Sequence, residues 1–208
     1  MSQDQNPTMV AAERDAVMLR VDYPERSSRI FALLGIFGIK YIMVIPHWFV
    51  MFFVTIAVSL VTYVGYWIVL IIGRYPKGLF NFVVSAERWN IRINSWLFGW
   101  SDSYPPFGQR ETVDYQVLYP ERSSRLWAFL GVFFFIKLIL LIPHMLVLWL
   151  LSIAALLANY FGYWAVLVLG RYPRGMFEFG VGISRWNARS YAWFYGLTDS
   201  YPRFGGID

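Results

Sequence analysis

Two long apolar runs dominate the chain, one from Ile30 to Gly73 and one from Leu126 to Gly170. Within the first, only Lys40 and His47 can carry charge, and Lys137 and His144 occupy the matching places in the second. A helix rises about 1.5 Å per residue and the bilayer hydrocarbon is about 30 Å thick, so each run is roughly twice the length of one crossing. Proline removes a backbone donor and strains the turn before it. Pro46-His47 is therefore the predicted fold-back point, with a weaker turn site at Ser59, Thr62 and Tyr63. Either each run is a transmembrane hairpin, or it is a re-entrant helix followed by one span. Basic residues bracket both runs, with Arg26, Arg29, Arg74 and Lys77 around the first and Arg122, Arg125, Arg171 and Arg174 around the second. Such residues gather on the cytoplasmic side, so both ends of each run belong on one side and the hairpin is the expectation.

Polarity changes character after each run. From Lys77 to Trp100, Leu79, Phe82, Val83, Ala86, Trp89, Ile93 and Trp96 recur at helical spacing opposite Asn81, Ser85, Arg88, Arg92 and Ser95. This predicts an amphipathic helix lying in the membrane interface. The second copy carries Glu178, Arg185 and Arg189 against Phe179, Trp186, Trp193 and Phe194. If these helices lie flat, the two halves share one orientation about a pseudo-twofold axis along the membrane normal; if they span, the halves are inverted. Ahead of each run, Val17, Leu19, Val21, Tyr23 and Val113, Tyr115, Val117, Tyr119 alternate with mostly polar residues. That period of two suggests a short strand in each half, paired outside the bilayer, with Ser27 or Ser28 and Ser123 or Ser124 capping the helices that follow.

The halves are an internal duplication. YPERSSR recurs at an offset of 96 residues, and IPH, GYW, GRYP, RWN and DSYP recur at 97, which places one inserted residue near Phe133–Phe135. The chain divides into a polar tail over 1–15, a membrane repeat over 16–108 and a second over 109–208. The expected fold class is an all-α integral membrane protein of two tandem repeats, each a hairpin (or re-entrant helix plus one span) followed by an amphipathic helix.

Composition agrees: 58% of residues are hydrophobic and 20% aromatic, above the roughly 45–50% apolar content of soluble domains. The absence of cysteine excludes disulfides, thiolate metal sites and cysteine nucleophiles. The net charge of +5 comes from arginines that punctuate apolar segments, a pattern that suits anionic lipid and not nucleic acid. The N-terminus has no basic start followed by an apolar core, so it is not read as a signal peptide. The first apolar block then directs insertion into a bacterial cytoplasmic (inner) membrane as a multi-pass protein with both termini cytoplasmic.

The set YPERxSR, IPH, GRYPRG, RWN and a terminal TDxYPPF resembles the DUF4389 family of bacterial and archaeal membrane proteins, in two copies from about Tyr23 to Phe204. Lys77 and Arg203 depart slightly from that pattern. The resemblance implies a small multi-pass membrane protein and transfers no activity.

Candidate chemistry is sparse. His47 and His144 form the one pair able to ligate a haem or pigment; otherwise they are turn residues, and no cofactor or metal is expected. Lys40 and Lys137 either contact anionic lipid or a carboxylate, or snorkel to the interface. Arg88, Arg92, Arg185 and Arg189 either clamp lipid phosphates or acidic partner loops, or pair with Glu87 and Glu178 or face water. The six Tyr-Pro steps fall at segment ends and suit interfacial anchoring. No nucleophile elbow, phosphate loop, zinc motif or paired-carboxylate site occurs, so no enzymatic activity is expected. The favoured reading is a non-catalytic accessory or scaffold subunit, with other membrane subunits or further copies of itself as partners. A lipid-binding or transport protein and a histidine-based cofactor carrier are the alternatives.

Overall fold

A computed structural model describes residues 16–105 and 113–205. The polar tail 1–15 and the expected repeat boundary at 108/109 lie outside the described residues. In chain order the elements are β1 (Val17–Arg20), α1 (Arg29–Ile36), α2 (Ile39–Ile72), α3 (Lys77–Leu97), β2 (Asp114–Val117), α4 (Arg125–Val132), α5 (Phe134–Leu169) and α6 (Arg174–Phe194).

Ser28 caps α1, its hydroxyl accepting from the Phe31 amide at 3.4 Å, and Ser124 does the same for Trp127 in α4. The DSYP aspartates complete these caps: Asp102 accepts from the Ser28 amide at 2.8 Å and Asp199 from the Ser124 amide at 2.7 Å. Two distant motifs thus meet at one helix start, where carboxylates are favoured.

No hairpin forms at Pro46. α2 runs unbroken through Pro46, and α5 through Pro143. Each proline removes the donor to a carbonyl four residues back, yet the helix continues, and at the next carbonyl along the Tyr104 hydroxyl donates to Met43 at 2.8 Å and Tyr201 to Leu140 at 2.6 Å. Nor does α2 turn at Ser59, Thr62 or Tyr63, since the Ser59 hydroxyl simply returns to the Thr55 carbonyl at 2.9 Å. The chain breaks earlier, at Phe37 and the left-handed Gly38 (φ 71°), and at Phe133 in the second copy. The inserted residue falls at the start of α5, which has 36 residues against the 34 of α2.

After a left-handed Gly73, α3 returns antiparallel along α2. Gly65 receives the Tyr75 ring, where a Cβ would approach to 2.6 Å, and Val44 packs with Ile93, Trp96 and Leu97. The tryptophans of the amphipathic helix therefore face α2 instead of lipid; Trp96 and Trp193 are fully buried. On its other side α3 meets β2, and α6 meets β1. β1 and β2 pair antiparallel with Leu19 opposite Tyr115, which are equivalent positions of the two repeats. The order is sheet, then α3 and α6, then the long helices.

The repeats clasp each other reciprocally. The Ser27 amide donates to the Gly170 carbonyl at 3.0 Å and Ser123 to Gly73 at 3.0 Å, while the Tyr23 hydroxyl reaches the Tyr172 carbonyl and Tyr119 reaches Tyr75. The start of each repeat thus sits at the far end of the other's long helix, and α2 and α5 run antiparallel about an approximate twofold axis. Arg29 and Arg171 lie at one end, Arg125 and Arg74 at the other, so the two ends of each apolar run are separated by the whole helix.

Candidate functional site

The sequence-derived candidates resolve into three places: a pair of lysine clamps, a pair of histidine locks and a central polar cavity.

Lys40 does not snorkel. It is fully buried, donating to the Trp96 carbonyl at 2.6 Å and to the Tyr163 hydroxyl of the other repeat at 3.4 Å. Its ammonium stands 4.7 Å from the Trp96 ring centre and 5.0 Å from that of Tyr163, within cation–π range. Lys137 repeats this with Trp193 at 2.8 Å and Tyr66 at 3.0 Å. Snorkelling fails because Gly38 and Phe133, not the prolines, mark the helix starts, which places each lysine on the inner seam. The tyrosines are themselves inserted: Tyr66 fills notches at Gly131 and Gly196, and Tyr163 those at Gly35 and Gly99. Their hydroxyls donate to the Phe194 and Leu97 carbonyls. Each clamp is an inter-repeat fastener that leaves the cation satisfied by a carbonyl, a hydroxyl and two rings.

Both histidines are fully buried and each serves its own repeat. The Nε2 of His47 donates to the Pro105 carbonyl at 2.9 Å, with Nδ1 3.2 Å from the Tyr104 hydroxyl. His144 matches with Pro202 at 2.9 Å and Tyr201 at 3.2 Å. Lys137 meets α2 at Tyr66, so His144, two turns further along α5, lies about a dozen helix residues from the level of His47, on the order of 18 Å at 1.5 Å each. The structure does not bring them together, and their ring nitrogens already have partners. They pin the DSYP loops against the long helices.

The arginines placed on the polar face also turn inward. Arg88 donates twice to the Tyr115 carbonyl, at 3.1 and 2.8 Å, and Arg185 to the Leu19 carbonyl at 3.1 Å. These bonds fasten the sheet to α3 and α6. Arg189 donates to the Gly205 carbonyl at 2.9 Å, and Arg92 is buried. Arg88, Arg185 and Arg189 remain half-buried. The expected Arg–Glu178 pairing falls to Arg174, at 2.9 Å on the surface.

Between α3 and α6 lies a cavity of about 300 Å³, lined by Glu87, Asn90, Asn94, Ser184, Asn187 and Asn159 among others. Burial raises the Glu87 carboxyl to about 7, against a smaller opposing hydrogen bond from Asn90. The pattern reading passed over this site because Glu87 and Asn90 look like ordinary polar-face residues. The available signal was asymmetry: the position equivalent to Glu87 is Ser184. Among the described residues, no group of three or more His, Asp or Glu is placed to hold a metal ion.

Comparison with curated proteins and with solved structures finds no match. The model of one family matches two segments, each a long helix, its amphipathic partner and the DSYP loop; the YPERSSR motifs fall outside both. By those matches, over residues 36–108 and 133–205, the chain belongs to the family described as Domain of unknown function (DUF4389) and carries two tandem copies of it.

Proposed function

We propose that this chain is a non-catalytic membrane scaffold, an accessory subunit that docks to a larger complex in a bacterial inner membrane. One observation carries the reading: α2 and α5 bury only a narrow seam and leave the rest of their surface apolar and uncovered. On α2 the buried positions are Lys40, Val44, His47, Val58, Thr62, Gly65, Tyr66 and Val69. Around them Ile42, Trp48, Phe49, Phe52, Phe53, Ile56 and Leu60 stand exposed, and Ile139, Met145, Leu146, Trp149, Leu150 and Leu157 do so on α5. Exposed apolar surface of this extent is a membrane or protein contact. The repeated motifs support the same reading, since their lysines, arginines and several tyrosines are engaged in holding the two repeats together and their histidines in pinning loops within each repeat. Gentle isolation from native membranes should yield the chain with a co-migrating membrane subunit; recovery as the free chain alone would overturn the proposal.

The cavity beside Glu87 favours a second reading, binding of a small polar or cationic molecule. Its volume sits at the lower end of ligand pockets, roughly 300–1,000 Å³, too small for a whole phospholipid. Equilibrium dialysis against cationic metabolites, comparing the intact chain with Glu87→Gln, tests it; equal binding by both would reject it.

A further inference from the structure

From the position of the sheet along the long helices we infer that the protein lies within one leaflet of an anionic bilayer. In this arrangement α2 and α5 are parallel to the membrane plane and the pseudo-twofold axis is parallel to the membrane normal. The inference rests on the membrane reading above and decides how that membrane is occupied.

α2 has 34 residues, about 51 Å at 1.5 Å each, against about 30 Å of hydrocarbon; crossing would need a tilt of about 54°. That tilt lies beyond the roughly 0–40° found for spanning helices. What forbids crossing is the sheet. Arg88, near the middle of α3, donates to β2, and Arg185, near the middle of α6, donates to β1. α3 lies antiparallel along α2, from Tyr75 beside Gly65 to Leu97 beside Val44. The sheet therefore stands over the middle of the long helices, and the symmetry requires this because equivalent residues Leu19 and Tyr115 pair on the axis. If α2 and α5 crossed, the exposed Arg20, Asp22, Asp114 and Gln116 would sit near the bilayer centre. Charged side chains there cost about 2.5–3.5 kcal/mol each on insertion scales. The two-stranded sheet would also leave its outer edges unpaired in hydrocarbon, where backbone groups find no partner.

Laid flat, the same features agree. The long helices form the layer farthest from the sheet, and a helix with its side chains is about 10–12 Å across, within the roughly 15 Å hydrocarbon depth of one leaflet. α3 and α6 then lie at the interface and the sheet in water. The exposed Arg26, Arg29, Arg171 and Arg174 at one end, and Arg74, Lys77, Arg122 and Arg125 at the other, all reach one headgroup plane. Anionic lipid attracts such residues by about 1 kcal/mol each. Charge thus places both ends of each apolar run on one side, without a hairpin.

The chain has no cysteine, so single cysteines report cleanly. The test places one at Gln116 (sheet), Arg74 or Arg171 (opposite ends), and Phe53 or Leu150 (outer faces), all exposed on the protein surface. An impermeant maleimide is applied to sealed spheroplasts and to inverted membrane vesicles. Gln116→Cys, Arg74→Cys and Arg171→Cys should all label from the cytoplasmic side and none from the other. Phe53→Cys and Leu150→Cys should resist from both sides, and a fluorophore attached there should be quenched by nitroxide lipid in phosphatidylethanolamine–phosphatidylglycerol vesicles. Labelling of Arg74→Cys and Arg171→Cys from opposite sides would overturn the one-leaflet arrangement and leave the scaffold reading intact. Protection of the outer faces without quenching would replace lipid by a protein partner and equally overturn it. Recovery in the soluble fraction with Phe53→Cys freely labelled would reject the membrane reading itself.

Discussion

The two repeats make the same fastenings but fill the space between them differently. Lys40, His47, Tyr66 and Asp102 each have a counterpart in Lys137, His144, Tyr163 and Asp199 doing the same work. At the centre the match ends. Trp100 of the first repeat lies against Gly180 of the second, where a Cβ would stand 2.5 Å from the ring; the equivalent pair is Leu197 and Val83, both fully buried. Glu87 likewise faces the cavity that its counterpart Ser184 helps to line. The difference teaches that symmetry is retained where the halves grip each other and relaxed where a cavity forms on the axis.

The largest expected effect tests the symmetric part. Lys40→Ala and Lys137→Ala each empty a fully buried site and strand the Trp96 or Trp193 carbonyl, while the Tyr163 and Tyr66 hydroxyls keep Leu97 and Phe194, so each should cost about 2–5 kcal/mol in denaturant unfolding from detergent. The costs should be equal within about 1 kcal/mol; a large inequality would break the equivalence of the clamps.

Glu87 tests the asymmetric part. Burial raises its carboxyl from 4.5 to about 7, so the folded state holds a proton that the unfolded chain releases. Stability therefore falls as pH rises from about 4.5 to 7, by up to about 3 kcal/mol at 1.36 kcal/mol per unit. Glu87→Gln should flatten that slope and gain most above pH 7. The effect is absent from Ser184→Ala; a slope unchanged by Glu87→Gln would remove the carboxyl from the cavity's energetics.

The smallest effect sharpens the packing comparison. Gly180→Ala should cost about 1–3 kcal/mol through overpacking against Trp100. Trp100→Leu, which imitates the Leu197 side of the other pair, should relieve it, giving a coupling of about 1–2 kcal/mol in a double-mutant cycle. Additive costs would show that the two sites do not touch energetically.

Much of this was legible in the residues. The duplication, the paired strands and the amphipathic helices follow from spacing and period, and Asp102 with Ser28 could be suspected from their repeated motifs. The path of the long helices was not legible. Pro46 looks like a break, but α2 runs unbroken through it, while Gly38, with an unremarkable apolar setting, supplies the real one. Lys40 and Arg88 read as surface groups because their acceptors, the Trp96 and Tyr115 carbonyls, lie 56 and 27 residues away in the chain. The hairpin fails because α2 and α5 run unbroken through Pro46 and Pro143; the expectation that both ends of each run share one side now rests on the one-leaflet arrangement proposed above.

The central claim is the direction of the helices relative to the bilayer, and polarised infrared dichroism of the full chain in aligned phosphatidylethanolamine–phosphatidylglycerol bilayers measures it directly. Because α2, α3, α5 and α6 run along one direction, the amide I dichroism should report an average helix axis close to the membrane plane. An average axis inclined toward the normal, as crossing helices require, would contradict the account.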